Sequence, residues 1–394
     1  MENIKKNSVI IGVGNCGSQI AWLAEQRYPE LFDCVYINTS SSDLSMVRSK
    51  DSIKIKIGTK NMAEGSGKNR SKMKDYLEED ISDLLRNQSF TDVILDKKYC
   101  YVVCSAAGGT GSGAGPVLMA ILKQCFPDTN FILVVVMPQV SASIMEQGNA
   151  LEFAQELFSD AIGEDTVYMV YDNEKMANYS PTRCLEAVNE EIVEDLRILT
   201  GIDNYATPYE SIDDADMESI LTTPGRLLIT RIQKGLTEKY MEDAALDDLI
   251  IKTIKNGAQA ETDRNKRVIR WGIITYMTDE VNRLYDSKHE KLQEFIGTPI
   301  ERFNHNAIND GNESLNFLYL IAAGMSPIND RVKKITERIE ELEHALAKED
   351  ADKFVMSGEG ASYNVMEERR KEDRRNRAQK TVSTSDIFNR FRKN

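Results

Sequence analysis

The sequence predicts an α/β protein built on a parallel sheet wrapped by helices, and three observations carry that reading. Short apolar runs, at Ser8 to Val13, Asp33 to Asn38, Tyr99 to Ser105, Phe131 to Met137 and Val167 to Tyr171, alternate with helical stretches. This is the pattern of strands covered on both faces. Several runs end in glycine, asparagine, threonine or proline, which gathers polar loops at the carboxyl edge, where open α/β sheets bind ligands. Two of the strand-to-helix turns are rich in glycine.

The first strand runs into Gly12-Val13-Gly14-Asn15-Cys16-Gly17, a literal match to the dinucleotide pattern G-x-G-x-x-G. That pattern predicts an acid about 20 positions on, at the tip of the second strand, to hold a ribose hydroxyl. The tip here is Ile37-Asn38-Thr39, without a carboxylate, so a nicotinamide cofactor loses its main support. Gly65-Ser66-Gly67-Lys68 is followed by Asn69 and lacks the earlier glycine of a Walker loop. The second glycine turn, Ala107-Gly108-Gly109-Thr110-Gly111-Ser112-Gly113, lies between an apolar strand and the apolar helix pattern Val117 to Leu122. Such a turn crowds backbone N–H groups around an anion at the positive end of a helix dipole, and Thr110 and Ser112 add hydroxyls. Each turn alone is explained by a tight reversal needing positive φ; both together, on neighbouring strands, suit a polyphosphate gripped from two sides.

Residues 182 to 200 read as one long helix, with Leu185, Val188, Ile192, Leu196 and Leu199 at steps of three or four. An irregular acidic stretch and the turn Thr223-Pro224-Gly225 follow. A second domain then offers strands at Leu227 to Ile232, Trp271 to Met277 and Leu315 to Ala322, with helices near 239 to 256 and 279 to 295. From Ile328, the positions Val332, Ile335, Ile339, Leu342 and Leu346 continue a narrow apolar stripe, which fits packing on its own domain or docking on another subunit. The expected layout is a nucleotide-binding domain over 1–181, a core helix and linker over 182–204, a second domain over 205–326, a terminal helix over 327–350 and a flexible basic tail over 351–394.

Composition narrows the class. With 394 residues and 41% hydrophobic content, the chain can bury a full-sized core. Its longest apolar runs fall short of the ~20 residues of a membrane span, and the start lacks the apolar run of a signal peptide, so a cytoplasmic location is expected and no membrane partner. Six cysteines form no Cys-x-x-Cys pair and mostly lie in apolar stretches, which points to buried thiols. Three histidines, at 289, 305 and 344, make an imidazole metal centre a poor candidate. Residues 367–394 carry ten basic and five acidic side chains, a net +5 within a chain total of −14. The acidic body argues against nonspecific wrapping of nucleic acid, whereas the tail can seek an acidic partner, DNA or a lipid surface.

The two glycine loops also carry a resemblance. Residues 107 to 113 look like the tubulin signature loop, Gly12 to Ser18 resembles the first nucleotide loop of the tubulin and FtsZ superfamily, and Asn38-Thr39 resembles its second. Thr222 to Gly225, and Phe317 to Pro327 running into a long helix, are most similar to the TubZ branch, the bacterial plasmid and phage tubulins of DNA segregation. The resemblance spans roughly residues 8 to 348 and departs at Ala107, Ser40 and Ser211, where relatives carry glycine, an acid and asparagine.

It implies a tubulin-like GTPase domain, a central core helix, a smaller α/β second domain and a long C-terminal helix with a disordered tail. It implies GTP and GDP as ligands with Mg2+. Gly14, Asn15, Cys16 and Gln19 would line the α- and β-phosphates, Asn38 the γ-phosphate region, and Ala107, Gly108, Gly109, Thr110, Gly111, Ser112 and Gly113 the phosphate cradle. Asn173 and Asn189 match positions that contact guanine; an amide offers the donor and acceptor that base presents, although residue chemistry alone leaves adenine open. Asp213 and Asp216 match the acidic loop that reaches the next subunit's nucleotide, where they would orient a water. The structural alternative for them is Ser211 as N-cap with acids in a first turn. Head-to-tail self-assembly and a DNA-binding adaptor, TubR-like and captured by the tail in a bacterial host, complete the expectation. Two other readings are a scaffold filament for phage positioning or cell division and an NAD-dependent enzyme.

Overall fold

A computed structural model describes residues 6–49, 52–95, 97–159, 165–201, 214–233, 236, 243–263, 266–278, 288–309 and 316–357. The strands are β1 (Ser8–Val13), β2 (Phe32–Asn38), β3 (Ile53–Lys56), β4 (Tyr99–Ser105), β5 (Asn130–Met137), β6 (Val167–Asp172), β7 (Gly225–Ile232), β8 (Arg270–Thr278), β9 (Glu301–Asn309) and β10 (Phe317–Met325). The helices are α1 (Gly14–Arg27), α2 (Ser41–Met46), α3 (Arg70–Arg86), α4 (Gln88–Leu95), α5 (Thr110–Cys125), α6 (Ile144–Ser159), α7 (Pro181–Gly201), α8 (Asp214–Leu221), α9 (Asp243–Asn256), α10 (Glu290–Ile296) and α11 (Asn329–Ser357).

All strands join one sheet in the order β3-β2-β1-β4-β5-β6-β7-β10-β8-β9. From β3 to β7 every pairing is parallel, as the alternation of apolar runs and helices predicts. β1 and β6 are buried along their whole length because helices cover both faces. On one face α3, α5, α6 and α11 enclose a core that includes Met73, Leu118, Phe153, Ile328 and Ile335. On the other, α1, α7 and α8 bury Ile20, Val188, Ile192, Leu196 and Met217.

The smaller second half continues this sheet rather than forming its own. β7 pairs with β6 only at Val167↔Gly225 and Tyr168↔Arg226, and residues 258–260 fill the gap where the two strands part. There the Asp172 N–H donates to the Ala258 carbonyl at 2.8 Å and the Ala260 N–H to the Val170 carbonyl at 2.8 Å. Beyond the gap β7, β10 and β8 run antiparallel over a third core around Leu228, Ile250, Trp271 and Leu292.

Several expectations shift. β3 and β9, the two sheet edges, have no counterpart in the sequence reading. The second domain's first helix occupies 243–256, its next one 290–296, and residues 237–242 and 279–287 lie outside the described residues. α11 runs on to Ser357, past the expected end at 350. Its stripe divides: Ile328 and Ile335 are fully buried with Val332 and Ile339 beside them, while Leu346 is 45% exposed. The first half of the stripe therefore packs within its own chain, on α6 of the nucleotide-binding half. Cys34, Cys100, Cys104 and Cys184 are buried as expected, but Cys16 is half-buried and Cys125 is exposed. Among the described residues no helix is long and apolar enough to cross a membrane.

Candidate nucleotide-binding site

β1 and β4 are neighbours, so the two glycine loops leave adjacent strands at the same sheet end. They touch. Gly14 has φ +74°, which favours glycine, and a methyl group there would lie 2.9 Å from the Gly111 nitrogen. A methyl on Gly111 would in turn sit 2.8 Å from the Val13 carbonyl. Two helix N-termini, those of α1 and α5, are thus packed together at a separation that only glycine permits, and their dipoles add at one point.

The N–H groups near that point are unspent. Among the described residues, those of Gly108, Gly109, Thr110, Gly111 and Ser112 have no acceptor, whereas the N–H of Gly113 bonds the Gly109 carbonyl at 3.0 Å. Backbone donors this rarely go unpaired unless a ligand or water takes them. Ala107 is 8% exposed, and its N–H turns away to the Ser105 hydroxyl at 3.2 Å. The Ser112 hydroxyl donates back to the Gly108 carbonyl, so it closes the turn instead of facing outward.

On α1, Gly14 is buried, Asn15 is exposed, and Cys16 and Gln19 are half-buried. Asn15 and Gln19 are four apart and share a helix face. Burial pushes the Cys16 thiol up to about 12, so it stays protonated near neutral pH. Asn38 is 2% exposed at the end of β2 and shapes the following turn: its carbonyl oxygen accepts from the Thr39 N–H at 2.8 Å, and its amide donates to Asp43 at 3.1 Å. Thr39, next to it, has its hydroxyl 2.9 Å from that of Thr110, which ties this turn to the second glycine loop.

The Gly65-Ser66-Gly67-Lys68 segment, which fails as a Walker loop, joins the site from a third direction. The Thr110 hydroxyl donates to Ser66 at 3.3 Å, and Lys68 reaches Glu146 on α6 at 2.8 Å. Ser66, Lys68, Arg70 and Asn149 are residues that the sequence did not point to, whereas Thr39 lies in the Asn38-Thr39 pair that resembles the second nucleotide loop. Only the glycines of 65–67 offered a signal for the first four.

Asn173 opens a 3-10 turn after β6, half-buried, with its side-chain oxygen buried and without a partner among the described residues. Its neighbour Asp172 is held by Arg331 of α11 at 2.6 Å, and burial raises the Asp172 carboxyl despite that guanidinium. Asn189 lies half-buried on α7, the helix that packs on α1 behind the first loop.

The acidic pair is elsewhere. Asp213 lies outside the described residues, and Asp216 is exposed on α8. α7 starts near the 3-10 turn and ends with the Thr200 hydroxyl 3.4 Å from that of Ser8, at the start of β1. α8 then leads to Gly225, which pairs with Val167 at the start of β6. α8, with Asp216, therefore sits at the sheet end opposite the glycine loops, a strand length of roughly 20 Å away. Among the described residues no group of His, Cys, Asp and Glu side chains is placed to hold a metal ion.

Two phosphate-type loops packed on adjacent parallel strands, with a long helix running behind them, define a tubulin-type nucleotide-binding domain. Residues 7–181 match the profile of the Tubulin/FtsZ family, GTPase domain, and the chain carries that family's GTPase domain. It is 24% identical over 321 residues to the tubulin-like protein TubZ of Clostridium botulinum C phage, covering 79% of this chain and 76% of that one. It is 23% identical over 303 residues to the tubulin-like protein CetZ of Pyrococcus furiosus, covering 75% and 80%. Among solved structures, TubZ of Clostridium botulinum phage c-st superposes with a TM-score of 0.68 at 21% identity, over 87% of this chain and 99% of that one. A GTPγS-form protofilament of TubZ from Bacillus thuringiensis serovar israelensis gives 0.69 at 18% identity, over 88% and 95%. These likenesses extend well past residue 181 and fix the fold of the second half as tubulin-like too.

Proposed function

We propose that this chain is a GTP-binding and GTP-hydrolysing protein that assembles head to tail and drives plasmid or phage DNA segregation in the cytoplasm of a bacterium. The observation that carries the reading is the contact between Gly14 and Gly111, which sets the start of α1 against the unspent N–H groups of the second loop at one anion site. In this reading Gly108 to Gly113 hold the phosphates, Gly14, Asn15, Cys16 and Gln19 their α/β end, and Asn38 the edge of the γ-phosphate region. Asn173, whose buried side-chain oxygen has no described partner, and Asn189 read the guanine edge. The hydroxyls and backbone amides of the cradle suit phosphate rather than a bare cation. Mg2+ would accordingly be held by the nucleotide's own oxygens and by water, where it neutralises charge.

Hydrolysis is completed by Asp213 and Asp216 of the next subunit. What supports this is the place of α8, which carries Asp216, at the sheet end opposite the cradle, so that stacking copies head to tail would bring one subunit's Asp216 to the next one's phosphates. The TubZ relative whose GTPγS form is a protofilament supports such stacking. The layout then follows as a nucleotide domain to residue 181, a core helix to 204, a second domain to 326, the terminal helix and a basic tail that captures a DNA-bound adaptor.

Sedimentation with GTP, GTPγS or NAD tests the proposal. Pelleting is expected with GTP, and more stably with GTPγS; assembly indifferent to nucleotide would end it. Deleting residues 367–394 should abolish adaptor capture and spare pelleting. A scaffold filament is the second reading, favoured by 28% identity over 256 residues to the cell division protein FtsZ of Methanothermobacter thermautotrophicus. Time-resolved imaging separates a moving filament from a static one. The nicotinamide reading keeps only the first glycine loop, since β2 ends without a carboxylate.

A further inference from the structure

A phosphate cradle made of backbone must turn its peptides one way, with N–H groups toward the anion and carbonyls away from it. Those carbonyls then face the protein and need donors of their own. We propose that Asn149 is the positioning residue that sets this orientation in the second glycine loop, an inference that rests on reading the loop as a nucleotide cradle.

Asn149 projects from α6 and is 8% exposed. The two N–H groups of its amide reach three carbonyls, one N–H being shared: Lys68 at 2.9 Å, Ala107 at 3.0 Å and Gly108 at 3.1 Å. Among the described residues no other donor reaches the carbonyls of Lys68 and Ala107. Asn149 therefore fixes the Ala107 carbonyl alone, and the Gly108 carbonyl together with the Ser112 hydroxyl, on the side away from the free N–H groups of 108 to 112. It also staples the 65–68 segment to that loop.

The rest of the same helix face backs this up. Glu152 and Glu156 follow Asn149 by three and seven residues, so all three share one face of α6. Both glutamates bind the buried Arg70, at 3.2 and 2.7 Å, and Arg70 donates through Nε and Nη2 to the Ser112 carbonyl at 3.3 and 3.0 Å. Ser112 lies in the first turn of α5, so this grip holds the far end of the loop. Ala150, Phe153 and Leu157, on the adjoining face, pack into the core. α6 is thus a rigid bar whose polar face dictates which way the cradle's peptides point.

The test uses the full chain and titrates GTP and GDP separately into the unaltered protein, Asn149→Ala, Asn149→Ser and Leu157→Val, with the melting temperature of each nucleotide-free variant recorded. Asn149→Ala should weaken both nucleotides at least about tenfold, since the Ala107 carbonyl, left without a donor, is free to rotate inward. Asn149→Ser, which keeps one donor, should fall between. Leu157→Val loosens the apolar face of α6 and should lower the melting temperature while leaving both affinities within about twofold. Affinity losses that follow melting temperature alike in all variants, or unchanged affinity in Asn149→Ala and Asn149→Ser, would overturn the inference and leave the nucleotide reading intact. If the unaltered protein binds neither nucleotide, the nucleotide reading falls and this inference with it.

Discussion

The glycine cradle and α8 are the two parts of one proposed active site, and they are built in opposite ways. In the cradle each piece is pinned by another: Gly14 by Gly111, Thr110 by Thr39 and Ser66, the loop carbonyls by Asn149. On α8, Met217, Ile220 and Leu221 anchor the helix in the core, while Asp216 stands exposed on the outer side. Binding needs donors fixed before the ligand arrives, so it is built into the packed end of one chain. An acid that serves another copy has to be presented at the surface. The difference explains why the fold can hold a nucleotide without the acids that the proposal assigns to cleaving it.

The contrast can be broken at several points. The largest expected effect is at the acidic pair: Asp216→Ala or Asp213→Ala should lower GTP hydrolysis per subunit by about 10²–10⁴-fold while pelleting with GTP persists. For Asp216→Ala stability should stay within about 0.5 kcal/mol, as for other exposed positions. Equal losses of hydrolysis and assembly would mean the acid holds the filament together instead. At the cradle, Gly14→Ala forces a methyl to 2.9 Å from the Gly111 nitrogen at φ +74°. It should weaken GTP binding by about two orders of magnitude, as expected for strain of roughly 1–3 kcal/mol plus a displaced loop; calorimetric titration reads this.

α7 connects the two ends, and its one deeply buried carboxyl gives a third test. Asp195 is 1% exposed and accepts from Tyr171 at 2.8 Å, Gln259 at 2.9 Å and Arg231 at 3.2 Å. Burial, then the charge of Glu191, pushes its carboxyl up to about 7 against the pull of Arg231, Gln259 and Tyr171. A group that holds its proton more tightly folded than unfolded stabilises the fold at low pH, and that contribution is lost as pH rises from about 4 to about 7. Asp195→Asn should flatten the fall of melting temperature across this window. A slope unchanged by the substitution would assign the dependence to other groups. The last test compares the two ends of the α11 stripe. Ile335→Ala, at a fully buried position, should destabilise by about 2–5 kcal/mol, and Leu346→Ala, at 45% exposure, by less than about 0.5 kcal/mol. A large loss at Leu346 in dilute solution would indicate that this end of the stripe is covered by a second copy.

The interior strands were legible because burial on both faces demands unbroken apolar runs, as in Tyr99 to Ser105. β3 and β9 were not, because edge strands face solvent on one side: Ile53-Lys54-Ile55-Lys56 alternates over only four residues, and Glu301 to Asn309 is largely polar. The same division runs through the site. Gly14, Gly111 and their neighbours announce themselves as glycines in a strand-to-helix turn. Asn149 and Arg70 act across 42 residues of sequence on backbone carbonyls, and nothing periodic marks polar contacts of that kind. Asn38 was readable as a site residue, but its work within the chain, shaping the turn at Thr39, required the coordinates.

The central claim is that the packed cradle and the acids at 213 and 216 belong to one site only across a subunit junction. The most direct measurement is GTP hydrolysis per subunit as protein concentration is raised through the assembly threshold. Turnover should be negligible below the threshold and climb steeply above it. Turnover per subunit that is the same at all concentrations would show that a single chain hydrolyses GTP by itself, and would contradict the account.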